Sequence, residues 1–165
     1  MKQQIPYELK KLHISKGQIL QKDGELNSKI YHVQSGLLRS YSIDERGKEH
    51  IFMFAPEHWV ISDSMPPDEP TMLFIDALED SVVLVTEKNS DSGPDSKKIV
   101  KRLGVLQKRI IQLMSSTALE RYESFMQAYP DLSQRIPQRM IASYLGVTPE
   151  ALSKVKSEKL NKKKS

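Results

Sequence analysis

The first half of the chain is a series of short apolar runs separated by polar turns. Five runs rich in β-branched and aromatic residues occupy positions 30–33, 37–43, 50–54, 73–77 and 82–86. The segment Asp44-Glu45-Arg46-Gly47 between two of them is typical of a hairpin turn, because Gly47 is free to take a positive φ. Short strands with turns at regular spacing predict a β-sandwich or barrel.

The second half of the chain follows a helical period instead. A polar segment at 89–96, with Gly93 and Pro94, is interpreted as a linker. The apolar positions that follow step by four and three residues: Ile99, Leu103, Leu106, Ile110, Leu113 and Thr117. This spacing predicts a narrow coiled-coil seam that pairs with a second copy of the chain. The alternative is a helix packed on its own domain. A further helix is predicted at about 119–128, before Pro130.

The most informative stretch is 137–160, which predicts two short helices joined by a tight turn. Pro137 suits the first position of a helix, and Gly146 can take the left-handed conformation that ends it. Thr148 is a good N-cap, with Pro149 at the first position of the next helix. The apolar residues of both helices share one face: Ile141, Leu145, Val147, Leu152 and Val155. This arrangement is typical of a helix-turn-helix that binds DNA.

The outward face of the second helix supplies the candidate DNA contacts. Glu150 could accept a hydrogen bond from cytosine N4, and Lys154 could donate to guanine. The full set of predicted contacts is Gln138, Thr148, Pro149, Glu150, Ser153, Lys154 and Lys156. Of these, Gln138, Thr148 and Lys156 are expected at phosphates, together with the lysines of 159–164. A surface ion pair between Glu150 and Lys154 is the alternative reading of those two residues.

The charge distribution supports a polyanion partner at this end. Residues 134–165 hold eight basic and two acidic residues, whereas residues 56–95 hold one lysine and ten acidic residues. A basic stretch of this kind attracts nucleic acid, although it also serves solubility alone.

The composition excludes several other classes of protein. The chain has 165 residues and no cysteine, so disulfides, thiolate metal sites and a cysteine nucleophile are absent. No apolar run reaches 18 residues, and the N-terminus lacks the apolar core of a secretory signal. We therefore expect a cytoplasmic protein without a membrane partner.

A small metal-dependent barrel of the cupin type, without a DNA function, is the competing interpretation. It would need clustered histidines and carboxylates. The four histidines, His13, His32, His50 and His58, form no metal-binding pair in sequence, although His50 and His58 could converge with Glu49 or Glu57. No nucleophile elbow or phosphate-binding glycine loop is present. We predict that the chain is not an enzyme and needs no cofactor.

The chain resembles the Crp–Fnr family of regulators. Residues 14–18 and 23–25 are similar to the opening turns of its cyclic-nucleotide-binding β-roll, residues 31–39 to the strands that follow, and residues 138–153 to its DNA-reading helices. The resemblance implies an α+β fold: an antiparallel, jelly-roll-like β-roll sensor (1–95), a dimerisation helix (96–118) and a helix-turn-helix domain (119–165). It also implies binding to a roughly palindromic operator as a homodimer, with an unknown small molecule as a possible effector.

The segment that matches the family's phosphate-binding cassette departs from it. Residues 61–72 contain no arginine or lysine, and they carry three carboxylates and three prolines. An anion needs cationic and N–H donors, and proline removes an N–H. We therefore predict that cAMP does not bind. The degenerate effector pocket is expected near Ile61, Ser62, Asp63, Thr71 and Met72.

Overall fold

The computed structural model of the protein describes residues 9–88 and 96–162. The chain divides into two compact units, Met1–Ser92 and Gly93–Ser165. Positions 89–95 of the interpreted linker, and Lys163 and Lys164 of the basic end, lie outside the described residues. Among the described helices, none is both long and apolar enough to cross a membrane.

Over its described residues, 9–88, the first unit forms two antiparallel sheets of four strands each. The strands are β1 (Lys10–Ile14), β2 (Ile19–Gln21), β3 (Lys29–Ser35), β4 (Leu38–Ile43), β5 (Glu49–Ala55), β6 (Val60–Ile61), β7 (Phe74–Ala77) and β8 (Ser81–Glu87). Their orders are β1-β8-β3-β6 and β2-β7-β4-β5. The five strands predicted from the sequence are all present, and the antiparallel β-roll is confirmed.

The core of this unit lies where alternate side chains of both sheets meet. Val33 and Val83 come from the first sheet, Leu38 and Ile75 come from the second, and all four are fully buried. Alternation along a strand sends the intervening residues outward, as with the half-buried His32 of β3. The side-chain period of two therefore sets which face of each strand is buried.

The β4–β5 hairpin turn forms as predicted. Gly47 has a φ of 76°, and its N–H donates to the carbonyl oxygen of Asp44 at 2.9 Å. The carboxylate of Asp44 accepts the backbone N–H groups of Arg46 and Lys48, and lies 2.8 Å from Nε2 of His50. The hydrogen bond to His50 is the main cause that lowers the pKa of Asp44. One of the candidate metal-site histidines, His50, thus contacts the residue that closes this turn.

A buried arginine, which the sequence analysis did not single out, links three strands of the second sheet. Arg39 of β4 donates through Nε and Nη2 to the carboxylate of Asp76 at 2.8 and 2.9 Å, and through Nη1 to Glu49 at 2.5 Å. Burial opposes the charge on Arg39, but these hydrogen bonds outweigh it and raise the pKa above its ordinary value. The planar guanidinium suits this paired geometry.

The second unit is helical. Its elements are α1 (Ser96–Ser115), α2 (Ala118–Ala128), α3 (Leu132–Arg135), α4 (Gln138–Leu145) and α5 (Pro149–Lys162). The helix predicted at about 119–128 is confirmed as α2.

The extension of the seam to Thr117 was wrong, because α1 ends at Ser115. Thr117 is instead the N-cap of α2, where its hydroxyl accepts the N–H of Glu120 and the Glu120 carboxylate accepts the N–H of Thr117. This reciprocal pair favours a new helix over continuation of the old one.

The remaining seam positions form an apolar face along α1. Ile99, Leu103, Ile110 and Leu113 are exposed, with 63% of Leu103 accessible, and Leu106 is half-buried. The alternative of a helix packed along this face on its own unit therefore does not hold for Ile99, Leu103 and Ile110.

Candidate nucleic-acid interface

Helix α4 begins directly after Pro137. The sequence predicts Pro137 at the first helical position, but its ψ of 142° is extended and it is the N-cap. Its carbonyl oxygen accepts the N–H groups of Met140 and Ile141 at 2.9 and 3.4 Å. Proline fits here because an N-cap needs no backbone donor.

The turn between α4 and α5 depends on Gly146, as predicted. Gly146 has φ 64° and ψ 36°, the left-handed conformation, and its N–H donates to the carbonyl oxygens of Ala142 and Ser143. The N–H of Val147 also donates to Ala142, at 3.0 Å. Two of the carbonyls left without helical partners at the end of α4 are satisfied in this way.

Helix α5 begins at Pro149, and Thr148 caps it. The Thr148 hydroxyl accepts the N–H of Ala151 at 3.2 Å, as expected of an N-cap. Glu150 lies in the first turn, fully exposed. Its pKa is lowered, first by its own backbone N–H and then by the Thr148 hydroxyl. Glu150 is therefore a carboxylate at neutral pH, able to accept hydrogen bonds.

The inner faces of α4 and α5 pack together as predicted. Ile141, Ala142 and Leu145 of α4, and Leu152 and Val155 of α5, are buried. Rings of Phe125, Tyr129 and Tyr144 lie beside them, with centroids 5.3 to 5.8 Å apart. This core fixes α5 so that its opposite face is available to a partner.

The outward face of α5 is exposed where DNA contacts were predicted. Pro149, Glu150, Ser153 and Lys154 are all exposed on it. Within the residues the structure describes, no ion pair joins Glu150 to Lys154, and hydrogen bonding rather than Lys154 shifts the pKa of Glu150. The alternative reading of these two residues as a surface ion pair therefore lacks support.

The residues expected at phosphates are placed less uniformly. Gln138 and Thr148 are exposed near the N-termini of α4 and α5, and Lys156 is half-buried. Lys159 turns towards α2 instead: its Nζ lies 3.9 Å from Glu123 and 5.5 Å from the centre of the Tyr122 ring. A phosphate contact by Lys159 would compete with these neighbours.

The segment expected as the effector pocket is closed around the carboxylate of Asp63. This side chain is buried, and it accepts the backbone N–H groups of Met65, Met72 and Leu73 at 2.9, 2.9 and 3.0 Å. Ionised carboxylates accept such bonds strongly. These donors are thus directed at a residue of the chain itself.

The other four residues of the expected pocket differ in burial and in hydrogen-bond partners. Ile61 is in the core, and Ser62 donates to the carbonyl oxygen of Asp63. Thr71 is buried and donates to the carbonyl oxygen of Lys22 at 2.6 Å, whereas Met72 is exposed. Ile61 and Thr71 are therefore used inside the β unit, whereas Met72 is open to solvent.

Lys88, which the sequence analysis did not assign, ties the same loop to β8. Its ammonium donates to the hydroxyl of Ser28 and to the carbonyl oxygens of Asp63 and Met65, at 2.7, 2.7 and 2.6 Å. Burial lowers the pKa of Lys88. In the sequence, the only indication of this role is that Lys88 is the single lysine in the acidic region 56–95.

The four histidines occupy different strands and turns of the β unit. His13 and His50 are exposed on strands, His32 is half-buried on β3, and His58 takes a positive φ of 69° in a turn. Over positions 9–88 and 96–162, no group of three or more histidine, cysteine or carboxylate side chains is placed to hold a metal ion.

Comparison with known proteins identifies relatives among bacterial regulators. The chain is 29% identical to the fumarate and nitrate reduction regulatory protein of Vibrio cholerae over 170 residues, covering 88% of the chain and 67% of the relative. It is 30% identical to the anaerobic regulatory protein of Aggregatibacter actinomycetemcomitans over 172 residues, covering 88% and 65%. Both are named as regulatory proteins and neither as an enzyme. No protein-family model matches the chain.

Solved structures share the fold at lower identity. FixK2 from Bradyrhizobium japonicum matches with a TM-score of 0.77 and 22% identity, over 93% of this chain and 85% of that one. A CRP/FNR-family transcriptional regulator from Thermus thermophilus matches with a TM-score of 0.68 and 16% identity, over 93% and 87%. The solved structures show that the β-roll and the helix-turn-helix form a shared fold, and the identity of 29–30% to curated regulatory proteins makes the chain similar to the Crp–Fnr family of regulators.

Proposed function

We propose that this chain is a transcription regulator that binds a roughly palindromic DNA operator as a homodimer, and that cAMP does not control it. The observation that carries the proposal is the exposed, N-capped start of α5 above a buried core. A helix presented in this way fits the major groove of DNA with its N-terminal residues at the base edges. Such a role places the chain in the cytoplasm.

The base-reading residues proposed are Glu150, Ser153 and Lys154, with Pro149 beside them. Glu150 offers an acceptor for cytosine N4, and Lys154 offers donors for guanine. Gln138, Thr148 and Lys156 are proposed at phosphates, where they fix the register of the protein on the duplex without reading sequence.

A second copy of the chain is proposed to cover the apolar face of α1. Residues at this spacing form the seam of a two-stranded coiled coil. Water in contact with Ile99, Leu103, Ile110 and Leu113 is unfavourable, since each buried aliphatic side chain contributes about 1.5–3 kcal/mol. A dimer with two α5 helices would match an operator with two half-sites.

The dimer is tested by Leu103→Glu, with Val105→Glu as the control. Val105 is also exposed on α1 but lies two residues away, on a different face of the helix. Sedimentation should show a monomer for L103E and the wild-type state for V105E. A dimer that survives L103E would contradict the seam.

The DNA function is tested by selection from random duplexes with the full chain. A recovered palindrome supports binding of two half-sites. Contacts with six to ten phosphates should weaken affinity by about 10³–10⁵ between 50 and 200 mM salt. Failure to enrich any sequence, with affinity insensitive to salt, would refute the proposal.

The absence of control by cAMP rests on the loop around Asp63. Its N–H donors already face a buried carboxylate, and a cyclic phosphate would meet that negative charge. Calorimetric titration of the full chain with cAMP should give no binding heat. A micromolar dissociation constant would overturn this part of the proposal.

A further inference from the structure

At the end of helix α4, two carbonyl oxygens accept hydrogen bonds from arginines of two other helices. Nη2 of Arg109, on α1, donates to the carbonyl oxygen of Tyr144 at 3.2 Å. Nη1 of Arg121, on α2, donates to the carbonyl oxygen of Leu145 at 2.7 Å. Carbonyls in the last turn of a helix lack helical donors, and the helix dipole favours cations there. The end of α4 is therefore held from outside, immediately before the Gly146 turn.

Arg109 is held by a second contact with the same residue. Its Cζ lies 4.0 Å from the centre of the Tyr144 ring, within the range of a cation–π interaction. Tyr144 in turn packs edge-on against Tyr129 and at an angle to Phe125. A planar guanidinium can lie flat on a ring while it donates a hydrogen bond in its own plane, a geometry that the tetrahedral ammonium of lysine does not offer.

The same turns of α1 also lie close to the turn between α4 and α5. A Cβ placed on Gly146 would lie 3.4 Å from Cδ2 of Leu113, which belongs to the seam. Arg109 directly precedes Ile110, another seam residue. The last half of α1 thus carries proposed dimer contacts and also lies close to the α4–α5 turn, with Leu113 in both sets.

We propose that Arg109 is a positioning residue for DNA recognition, because it fixes the end of α4, and hence the direction of α5, to the helix that joins the dimer. This inference rests on the proposed function. Two half-sites are read together only when both α5 helices have a fixed direction relative to the α1 pair. Non-specific binding to phosphates makes no such demand.

The variants that test the inference are Arg109→Ala and Arg109→Lys, with Lys108→Ala as the control. Lys108 is exposed, adjacent in α1, and equal in charge. We expect R109A to lose about ten-fold in affinity for the selected operator, a coupling of ordinary size. Its affinity for a random duplex of equal length should stay at the K108A value, and R109K should give a smaller loss because it keeps one charged donor.

Amide hydrogen exchange supplies a readout that does not involve DNA. The N–H groups of Gly146 and Val147, bonded to Ala142 and Ser143, report on the turn. They should exchange faster in R109A than in K108A, while the amides of α2 stay protected.

The outcomes separate the two proposals. If the wild-type chain selects no operator, the proposed function fails. In that case, unchanged amide exchange at Gly146 and Val147 in R109A would also refute the positioning role of Arg109. If the wild type selects an operator and R109A loses equal affinity for operator and random duplex, Arg109 is a phosphate contact and the inference is overturned. If R109A does not fold, R109K decides. The inference is overturned if R109K keeps the wild-type ratio of operator affinity to random-duplex affinity and the wild-type amide exchange at Gly146 and Val147.

Discussion

The carboxylate of Asp63 accepts the backbone N–H of Met72 at 2.9 Å and so closes a loop between residues nine positions apart. The same carboxylate accepts the N–H groups of Met65 and Leu73. One side chain of the loop therefore satisfies three partly buried backbone donors.

Replacement of Asp63 by Ala should destabilise the β unit by about 3 kcal/mol, because several backbone donors lose a charged acceptor. Asp68→Ala, on the same loop but exposed, should change stability by less than about 0.5 kcal/mol. Trp59 is the only tryptophan of the chain, so its fluorescence follows unfolding of this unit in urea. Equal midpoints for the two variants would show that Asp63 does not organise the loop.

Two glycines should respond to alanine with opposite signs. Gly146 has a positive φ and would bring a Cβ to 3.4 Å from Leu113, so Gly146→Ala should cost about 1–2 kcal/mol. Gly104 lies within α1 with nothing within 4 Å of an added Cβ, so Gly104→Ala should stabilise by about 1 kcal/mol. Thermal unfolding followed by circular dichroism measures both. A stabilising effect of G146A would contradict the left-handed turn.

Two lysines of α5 should differ in how they affect sequence preference. Lys154→Ala should cost about 1–3 kcal/mol at one base pair of each half-site, and relax the preference there, if Lys154 reads guanine. Lys156→Ala should weaken all sequences alike and reduce the salt slope by about 1. Binding to a panel of single-base operator variants distinguishes the two patterns. A uniform loss for K154A would reassign Lys154 to a phosphate.

The capping pair of α2 should make the helical unit sensitive to acid. Hydrogen bonds from the backbone N–H and then the hydroxyl of Thr117 lower the pKa of Glu120. A folded pKa below the unfolded value gives stability that is present above about pH 4.3 and lost as the pH falls through the folded pKa. The stability gap between the wild type and Glu120→Gln should therefore be widest near neutral pH and narrow on acidification.

The control for this titration is the same comparison in a Thr117→Ala background. The hydroxyl donor is then gone but the backbone N–H remains, so the pH-dependent part of the gap should shrink without disappearing. A gap that stays constant between pH 3 and 7 would mean that the Glu120 charge makes no contribution.

The strands could be predicted where a side-chain period of two or a dense apolar run was strong. β3, β4 and β8 each place apolar residues in the core, and the sequence predicted all three. β1 was missed because most of Lys10–Ile14 is exposed, and β6 because it has two residues. Pairing with neighbouring strands defines such elements, and a single sequence does not display that pairing.

The α4–α5 turn was predicted in detail because its determinants are local. Gly146, Thr148 and Pro149 each act on backbone within a few residues. The contacts of Arg39 with Asp76, and of Arg109 with Tyr144, join residues 37 and 35 positions apart. No spacing rule indicates such pairs, so only the folded structure brings them together.

Pro149 gives the exposed start of α5 an apolar surface. The exposed pyrrolidine ring has no hydrogen-bond donor, so in the proposed complex with DNA it would present only carbon to a base pair. In the major groove, the carbon surface that distinguishes one base from another is the C5-methyl group of thymine. Recognition of the base pair beside Pro149 would therefore depend on the C5-methyl group of a pyrimidine. Uracil, which lacks this methyl group, would be bound less well than thymine at that position.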